Sequence, residues 1–288
     1  MTLRASVPPC ESVSVSSDTS VPSQEPRSGA IGIFDSGVGG LSVLLEIRHA
    51  LPHEDLLYVA DSGYAPYGDR PADFIERRAA AIVDFFSEQR AKAVVVACNT
   101  ATGIAIESLR ARWPMPVVGI EPAIKPAAAL TRSGVVAVLA TSQTIASARF
   151  AKLVATFGAG ITVLPQACPG LVEQIEKGEL SGGETRAMLT RYIAPLVERG
   201  ADTLVLGCTH YPFVRSEIEA IAGPGVAILN PAAAVARELA RRLAQEGLTT
   251  TSTAPGTTRL WTSGPPEQME AVLGRLGIAA AAVQPLPV

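Results

Sequence analysis

The chain has 288 residues, 48% of them hydrophobic, with a formal charge of −3 at pH 7. That is enough apolar material for one large α/β domain or two smaller ones. The near-neutral balance gives no support to direct nucleic-acid binding, leaving at most a local basic patch, and no apolar run reaches the length that spans a bilayer.

The amino terminus, MTLRASVPPCESVSVSS, lacks the charged-then-apolar order of a secretory signal, so a cytoplasmic address is expected. Cys10, Cys98, Cys168 and Cys208 are then read as reduced thiols. With no CxxC and three histidines, no metal site is expected. Residues 1–28, rich in Ser, Pro, Val and Glu without a period, are predicted to be a disordered leader in which Cys10 is incidental. Order begins with an apolar strand at Ala30–Phe34, which runs into Asp35-Ser36-Gly37-Val38-Gly39-Gly40 and a helix over Leu41–His49. Strand, glycine-rich turn and helix aim backbone N–H groups at an anion. Neither GxGxxG nor a P-loop is in register, so carboxylate and phosphate both remain open.

Leu56–Ala60 reads as a second strand, DSGYAPYGDR as a structured loop, and Pro71–Ala91 as a long helix with Phe74, Ile82, Phe85 and Phe86 near one side. Val94–Ala97 is a buried strand that ends in a loop at Cys98, followed by a helix over Gly103–Arg112 and a strand over Pro116–Ile120. The pattern then restarts: a strand at Gly134–Ala140, an amphipathic helix at Thr141–Phe157, and a strand at Ile161–Leu164. A loop over Gln166–Gly170 holds Cys168, helices cover Leu171–Lys177 and Glu184–Arg199, and the strand Thr203–Leu206 leads to Cys208. Phe213–Ile221 is a helix, Ala227–Leu229 a strand, and Asn230-Pro231 opens the helix Ala232–Gln245. Glu246–Thr258 reads as a polar linker, Arg259–Thr262 as an edge strand, Pro266–Leu276 as a last helix, and AAAAVQPLPV as a loose tail.

The two halves keep their spacing. Asp35 precedes Cys98 by 63 positions and Thr141 precedes Cys208 by 67, while Asp61 and Cys168 follow the same starting points by 26 and 27. This predicts an internal duplication: two similar doubly wound α/β domains dividing near residue 130, with the active site in the cleft between them. Cys98 and Cys208 would stand on opposite walls. A lone cysteine at a strand tip is more often a small buried hydrophobe. The matched pair, each followed by polar residues (Asn99-Thr100 and Thr209-His210), favours chemistry. Cys168, before a Pro-Gly turn, is read as structural, and His49 and His53 as surface residues. Asp35 caps the following helix or serves Cys98 as an acid/base partner, and Glu176 reads as a solvated carboxylate. Opposed thiols, with a reference pKa of about 8.5, suit proton removal from one face of a carbon acid and delivery to the other. A redox disulfide is the competing use of the same pair.

The motifs IFDSGVGGL (33–41), APYG (65–68), VVACNTAT (95–102), LATSQT (139–144), ACP (167–169) and LGCTHYPF (206–213) resemble the glutamate racemase family, within the cofactor-independent aspartate/glutamate racemases. The resemblance covers the chain from about Ala30 to Leu239. It implies interconversion of L- and D-glutamate without a cofactor, supplying D-glutamate to peptidoglycan synthesis in a bacterial cytoplasm. By resemblance, Cys98 acts on D-glutamate and Cys208 on L-glutamate, with Asp35 beside the first thiol and His210 and Glu176 beside the second. Asp35, Ser36, Tyr67, Gly68, Asn99, Thr100, Thr209 and His210 match substrate-contacting positions, and Thr141 and Thr144 fall in a further family motif. Phe150 stands where the family often has Tyr, a difference that touches helix packing. The family layout implies one domain from 29–123 plus 232–288 and another from 124–231. It also implies a homodimer; some members bind DNA gyrase, an activity that no residue here assigns.

Overall fold

The computed structural model describes residues 29–278 and 282–288; the expected disordered leader 1–28, with Cys10, lies outside the described residues, as do 279–281. The first half alternates β1 (Ile31–Asp35), α1 (Leu41–Ala50), β2 (Leu56–Ala60), α2 (Ala72–Glu88), β3 (Ala93–Val96), α3 (Asn99–Arg112) and β4 (Val117–Gly119). The second continues with α4 (Ile124–Leu130), β5 (Val135–Ala140), α5 (Ser142–Ala146), α6 (Ala148–Phe157), β6 (Thr162–Ala167), α7 (Leu171–Glu176), α8 (Gly183–Glu198), β7 (Thr203–Leu206), α9 (Arg215–Ala222) and β8 (Ala227–Leu229). The chain ends with α10 (Ala232–Gln245), β9 (Thr258–Thr262), α11 (Pro266–Arg275) and β10 (Val283–Pro285).

Among the described residues, the strands form two wholly parallel sheets, ordered β10-β9-β2-β1-β3-β4 and β6-β5-β7-β8. The run β2-β1-β3-β4 has the same order as β6-β5-β7-β8, the topology expected of a duplicated doubly wound unit. The central strands of each sheet are covered on both faces, which is why they are continuously apolar rather than alternating. In β1, Ile31 and Ile33 pack with α1, α10 and α11, whereas Phe34 packs with α2 and α3. In β5, Ala137 and Leu139 meet α7, α8 and α9, and Val136 and Val138 meet α4 and α6. Strand order reverses around β1 and β5, so the crevices at the carboxyl ends of β1/β3 and β5/β7 are where such folds take ligands. Asp35 and Cys98 stand at the first crevice, Thr141 and Cys208 at the second.

Several local readings are corrected by longer-range contacts. The helix expected over 141–157 breaks at Ser147, whose extended backbone and hydroxyl, accepting from the Phe150 N–H at 3.1 Å, cap a second helix. Phe150 itself is buried in the helix packing, as its motif position suggested. The residues after Cys98 are not a loop: α3 starts at Asn99, with Cys98 as its cap. Helix α4 was missed because Pro126 sits inside it, in the first turn where the absent N–H costs nothing. Tyr211–Val214 forms a 3₁₀ turn before α9 instead of joining one helix. β9 is interior and not an edge, since Val283–Pro285 of the supposed loose tail pairs with it. Finally, α10 follows a strand of the second sheet but buries Val235, Leu239 and Leu243 in the core of the first. No helix among the described residues is long and apolar enough to cross a membrane.

Candidate active site

Cys98 follows β3 by one small residue, Ala97, and with an extended backbone caps α3, its sulfur accepting from the Ala101 N–H at 3.4 Å. It also lies 3.7 Å from the Ser36 hydroxyl. Burial, reinforced by the nearby Asp35 carboxylate, pushes the thiol up to about 12. Asp35 itself is fully buried. One of its oxygens accepts from the N–H groups of Gly37 (3.2 Å) and Gly40 (3.1 Å), the other from the Thr209 hydroxyl (3.2 Å). Burial raises its pKa and Glu176 adds to the rise, while His210 and the two glycine N–H groups pull it back. The glycine turn supplies two of its hydrogen bonds and Thr209 of the second half the third, and its influence on Cys98 is through charge.

Cys208 follows β7 by one small residue, Gly207. Its sulfur is 3.7 Å from Nδ1 of His210, whose Nε2 donates to Glu176 at 2.6 Å. The same Glu176 oxygen accepts from the Val38 N–H of the first half at 2.8 Å. The solvated carboxylate read from local sequence is thus mostly covered, with 19% of its side chain exposed. It ends a helix that the tertiary fold turns toward the cleft. Burial works against a charge on His210, but Cys208 and Glu176 outweigh it and hold the imidazole pKa well above its usual value.

The glycine-rich turn has a purpose that its pattern did not reveal. Three of its N–H groups, those of Gly37, Val38 and Gly40, are taken by Asp35 and Glu176. A side chain at Gly37 would collide with the Glu176 carboxylate, and one at Gly39 with the His210 ring. The glycines let the second half's imidazole–carboxylate pair press directly against the first half's backbone. Further ties cross the same seam: Ser42 donates to the Thr209 carbonyl at 2.9 Å. Thr100 meets Thr141 at 2.9 Å and Thr144 at 3.2 Å. Ser42, and Tyr58, which donates to the Gly37 carbonyl at 2.7 Å, were missed by sequence reasoning because each looks like an ordinary core-facing residue of its element.

Between the walls lies a narrow cavity of about 10 Å³, lined by Ser36, Tyr67, Gly68, Cys98, Asn99, Thr100, Thr141, Cys208, Thr209 and His210, with Pro66, Val172 and Gly207 completing it. All but the last three were candidates from the sequence. Asp35 and Glu176 stand directly behind the lining, bonded to Thr209 and His210. Thr144 is also behind it, its hydroxyl engaged by Thr100 and Thr141. Cys168 is buried with its sulfur 3.6 Å from the Gln166 carbonyl, and burial pushes it up to about 12. His49 and His53 are exposed. Both polar atoms of the Asn99 side chain are buried without a partner, and a buried, unpaired amide on a cavity wall is suited to a polar ligand. The N–H groups of Asn99 and Thr100, in the first turn of α3, have no intrahelical acceptor.

Two doubly wound sheets that bring one thiol each to a shared cavity, with a carboxylate behind one and an imidazole–carboxylate pair behind the other, define a paired-thiol α/β cleft. Residues 39–239 match the family described as Asp/Glu/hydantoin racemase, and the chain belongs to that family. It is 54% identical to a glutamate racemase of Methylococcus capsulatus over 89% of this chain and 95% of that one. Among solved structures, it resembles a glutamate racemase isoform of Bacillus anthracis with a TM-score of 0.84 and 31% identity, covering 91% of this chain and 98% of the other. A glutamate racemase of Escherichia coli, solved with L-glutamate and the activator UDP-MurNAc-ala, matches at a TM-score of 0.79 and 34% identity, covering 90% and 98%.

Proposed function

We propose that this chain interconverts L- and D-glutamate by two-thiol proton transfer at the α-carbon, with no cofactor. The observation that carries the reading is Cys98 and Cys208 lining one cavity from different sheets, each with its own charged neighbours. The glutamate racemase activity of the relatives supports the substrate.

In this reading, the α-carbon sits between the two sulfurs. Cys208, as thiolate beside the imidazolium of His210, takes the proton from L-glutamate, and Cys98, held as a thiol, delivers one to the opposite face. For D-glutamate the roles reverse, and each turnover exchanges the protonation of the two sulfurs. The first-turn N–H groups of Asn99 and Thr100, the helix dipole behind them and the Asn99 amide suit a carboxylate and an amine. Ser36, Tyr67, Gly68, Thr141 and Thr209 complete the lining. The cavity is too narrow for free entry, so the two units, taken as 29–123 plus 232–288 and 124–231, separate to admit substrate. The enzyme is read as a cytoplasmic homodimer that feeds D-glutamate to peptidoglycan precursors.

Turnover in deuterated water tests the reading. Deuterium is expected at the α-carbon of the product isomer, with activity unaffected by reductant. Activity that needs disulfide cycling without α-deuterium overturns it in favour of thiol–disulfide chemistry. One methylene is worth about 10–200-fold in kcat/KM, so aspartate is expected to be the poorer substrate by that order; faster aspartate turnover would reassign the substrate.

A further inference from the structure

Tyr67 lines the cleft, yet its phenol is committed elsewhere. Its hydroxyl donates to Oδ2 of Asp61 at 2.5 Å. Asp61, at the tip of β2, is fully buried. Arg78 of α2 grips both its oxygens, Nε to Oδ2 at 2.9 Å and Nη2 to Oδ1 at 2.7 Å, and lies over the Tyr64 ring at 4.2 Å. The bidentate pair already satisfies the carboxylate's charge, so the third bond from Tyr67 is not needed to keep Asp61 buried. What that bond does is tie the turn carrying Tyr67 and Gly68 to a rigid strand–helix junction. That turn is one of the first half's contacts with α5: Gly68 packs on Thr141, and Gln143 reaches the Arg70 carbonyl at 3.3 Å.

We infer that Asp61 and Arg78 are positioning residues that hold Tyr67 with its hydroxyl turned away from the reacting atoms, so that the 67–68 turn closes the cleft over substrate and over Cys98. The sequence marked Asp61 only by its spacing, and nothing in the proton-transfer scheme uses it. The inference rests on the glutamate reading only for its kinetic arm. Burial and the adjoining carboxylate also keep the phenol from ionising, which leaves it a donor to Asp61.

The test is Tyr67→Phe, which deletes one hydroxyl and keeps the ring in place, with Asp61→Asn and Arg78→Lys beside it. Tyr67→Phe is expected to raise KM for both glutamate enantiomers on the order of tenfold while kcat stays within about twofold. Combining it with Asp61→Asn should add little, because in Tyr67→Phe the bond to residue 61 is already gone. Arg78→Lys keeps the charge but loses the fork, and should show a smaller KM effect than Arg78→Ala. Independently of glutamate, alkylation of Cys98 by iodoacetamide, followed on its peptide by mass spectrometry, should accelerate several-fold in Tyr67→Phe. A hundredfold fall in kcat at unchanged KM would make the phenol a participant in the chemistry and overturn the inference. Wild-type KM and wild-type alkylation together would also overturn it, showing that packing alone holds the turn. If the wild type fails to racemise glutamate, the functional reading falls while the alkylation arm still decides the positioning role. If Asp61→Asn does not fold, Tyr67→Phe carries the decision alone.

Discussion

The Cys98 and Cys208 walls place the same side chain at the same point of a repeated strand order, but in opposite electrostatic surroundings. Beside Cys98 stands a buried carboxylate, Asp35, and the thiol is pushed up to about 12. Beside Cys208 stands His210, whose imidazole is stabilised as a cation by the sulfur and by Glu176. Duplication copied the backbone and left the charge free to diverge. The first wall holds its thiol beside a buried carboxylate while the second sets its thiol beside a positive charge, so the two sulfurs stand in opposite fields, as a proton relay between opposite faces requires.

The largest test of that contrast is removal of either sulfur. Cys98→Ser and Cys208→Ser are each expected to lower kcat by about 10²–10⁴-fold in both directions, because one proton transfer of the pair is lost either way. If one variant keeps near-wild-type turnover, the two walls are not partners. Next come the neighbours, at about 10–10²-fold. His210→Asn should depress kcat more from L-glutamate, and Asp35→Asn more from D-glutamate. Enantiomers have an equilibrium constant of unity, so the two kcat/KM values fall together and the asymmetry must appear in directional kcat values and isotope effects. Equal losses in both directions would make these groups shared substrate-positioning residues.

Titration sharpens the same comparison. His210 has a folded pKa raised above its unfolded value of about 6.5, so its contribution to stability is complete below that pH and is lost as pH rises through the folded value. Its ring signal in NMR should therefore stay protonated through pH 7, and a midpoint near 6.5 would remove the cation from the Cys208 wall. Gly39→Ala should crowd the His210 ring and cost about 1–3 kcal/mol in a denaturant midpoint measurement, with a fall in kcat. The smallest effect is expected at Thr144→Val. It deletes one hydroxyl of the seam behind the cavity, for about 1 kcal/mol of stability and little change in kcat.

Short-range pattern was enough for much of this protein. Apolar runs of four to six residues between turn signals gave most strands to within a residue or two, and β2, β7, β8 and α10 at their observed ends. The similar spacing of Asp35 to Cys98 and of Thr141 to Cys208, 63 and 67 residues, gave the repeated unit, because strand–helix units of similar length put equivalent residues at equivalent tips. The polar residues that follow each thiol marked most of the cavity lining for the same reason: a strand tip and the residues after it face one crevice.

What the sequence could not determine were meetings between residues far apart in the chain. Glu176 reads as solvated because its local surroundings are polar; only the closing of α7 onto the glycine turn, 138 residues away, buries it against His210 and the Val38 N–H. DSGVGG reads as an anion nest because N–H groups at a turn usually face solvent; here Asp35 and Glu176 occupy those of Gly37, Val38 and Gly40, and the missing side chains make room for the other half. Val283–Pro285 reads as loose because a three-residue strand has no pattern of its own and exists only where β9 offers unpaired backbone groups. Secondary structure and strand tips follow from local periodicity and turn chemistry. That Glu176 backs His210 and meets the Val38 N–H follows from bringing the strand tips of two sheets together, and that depends on contacts no window of sequence contains.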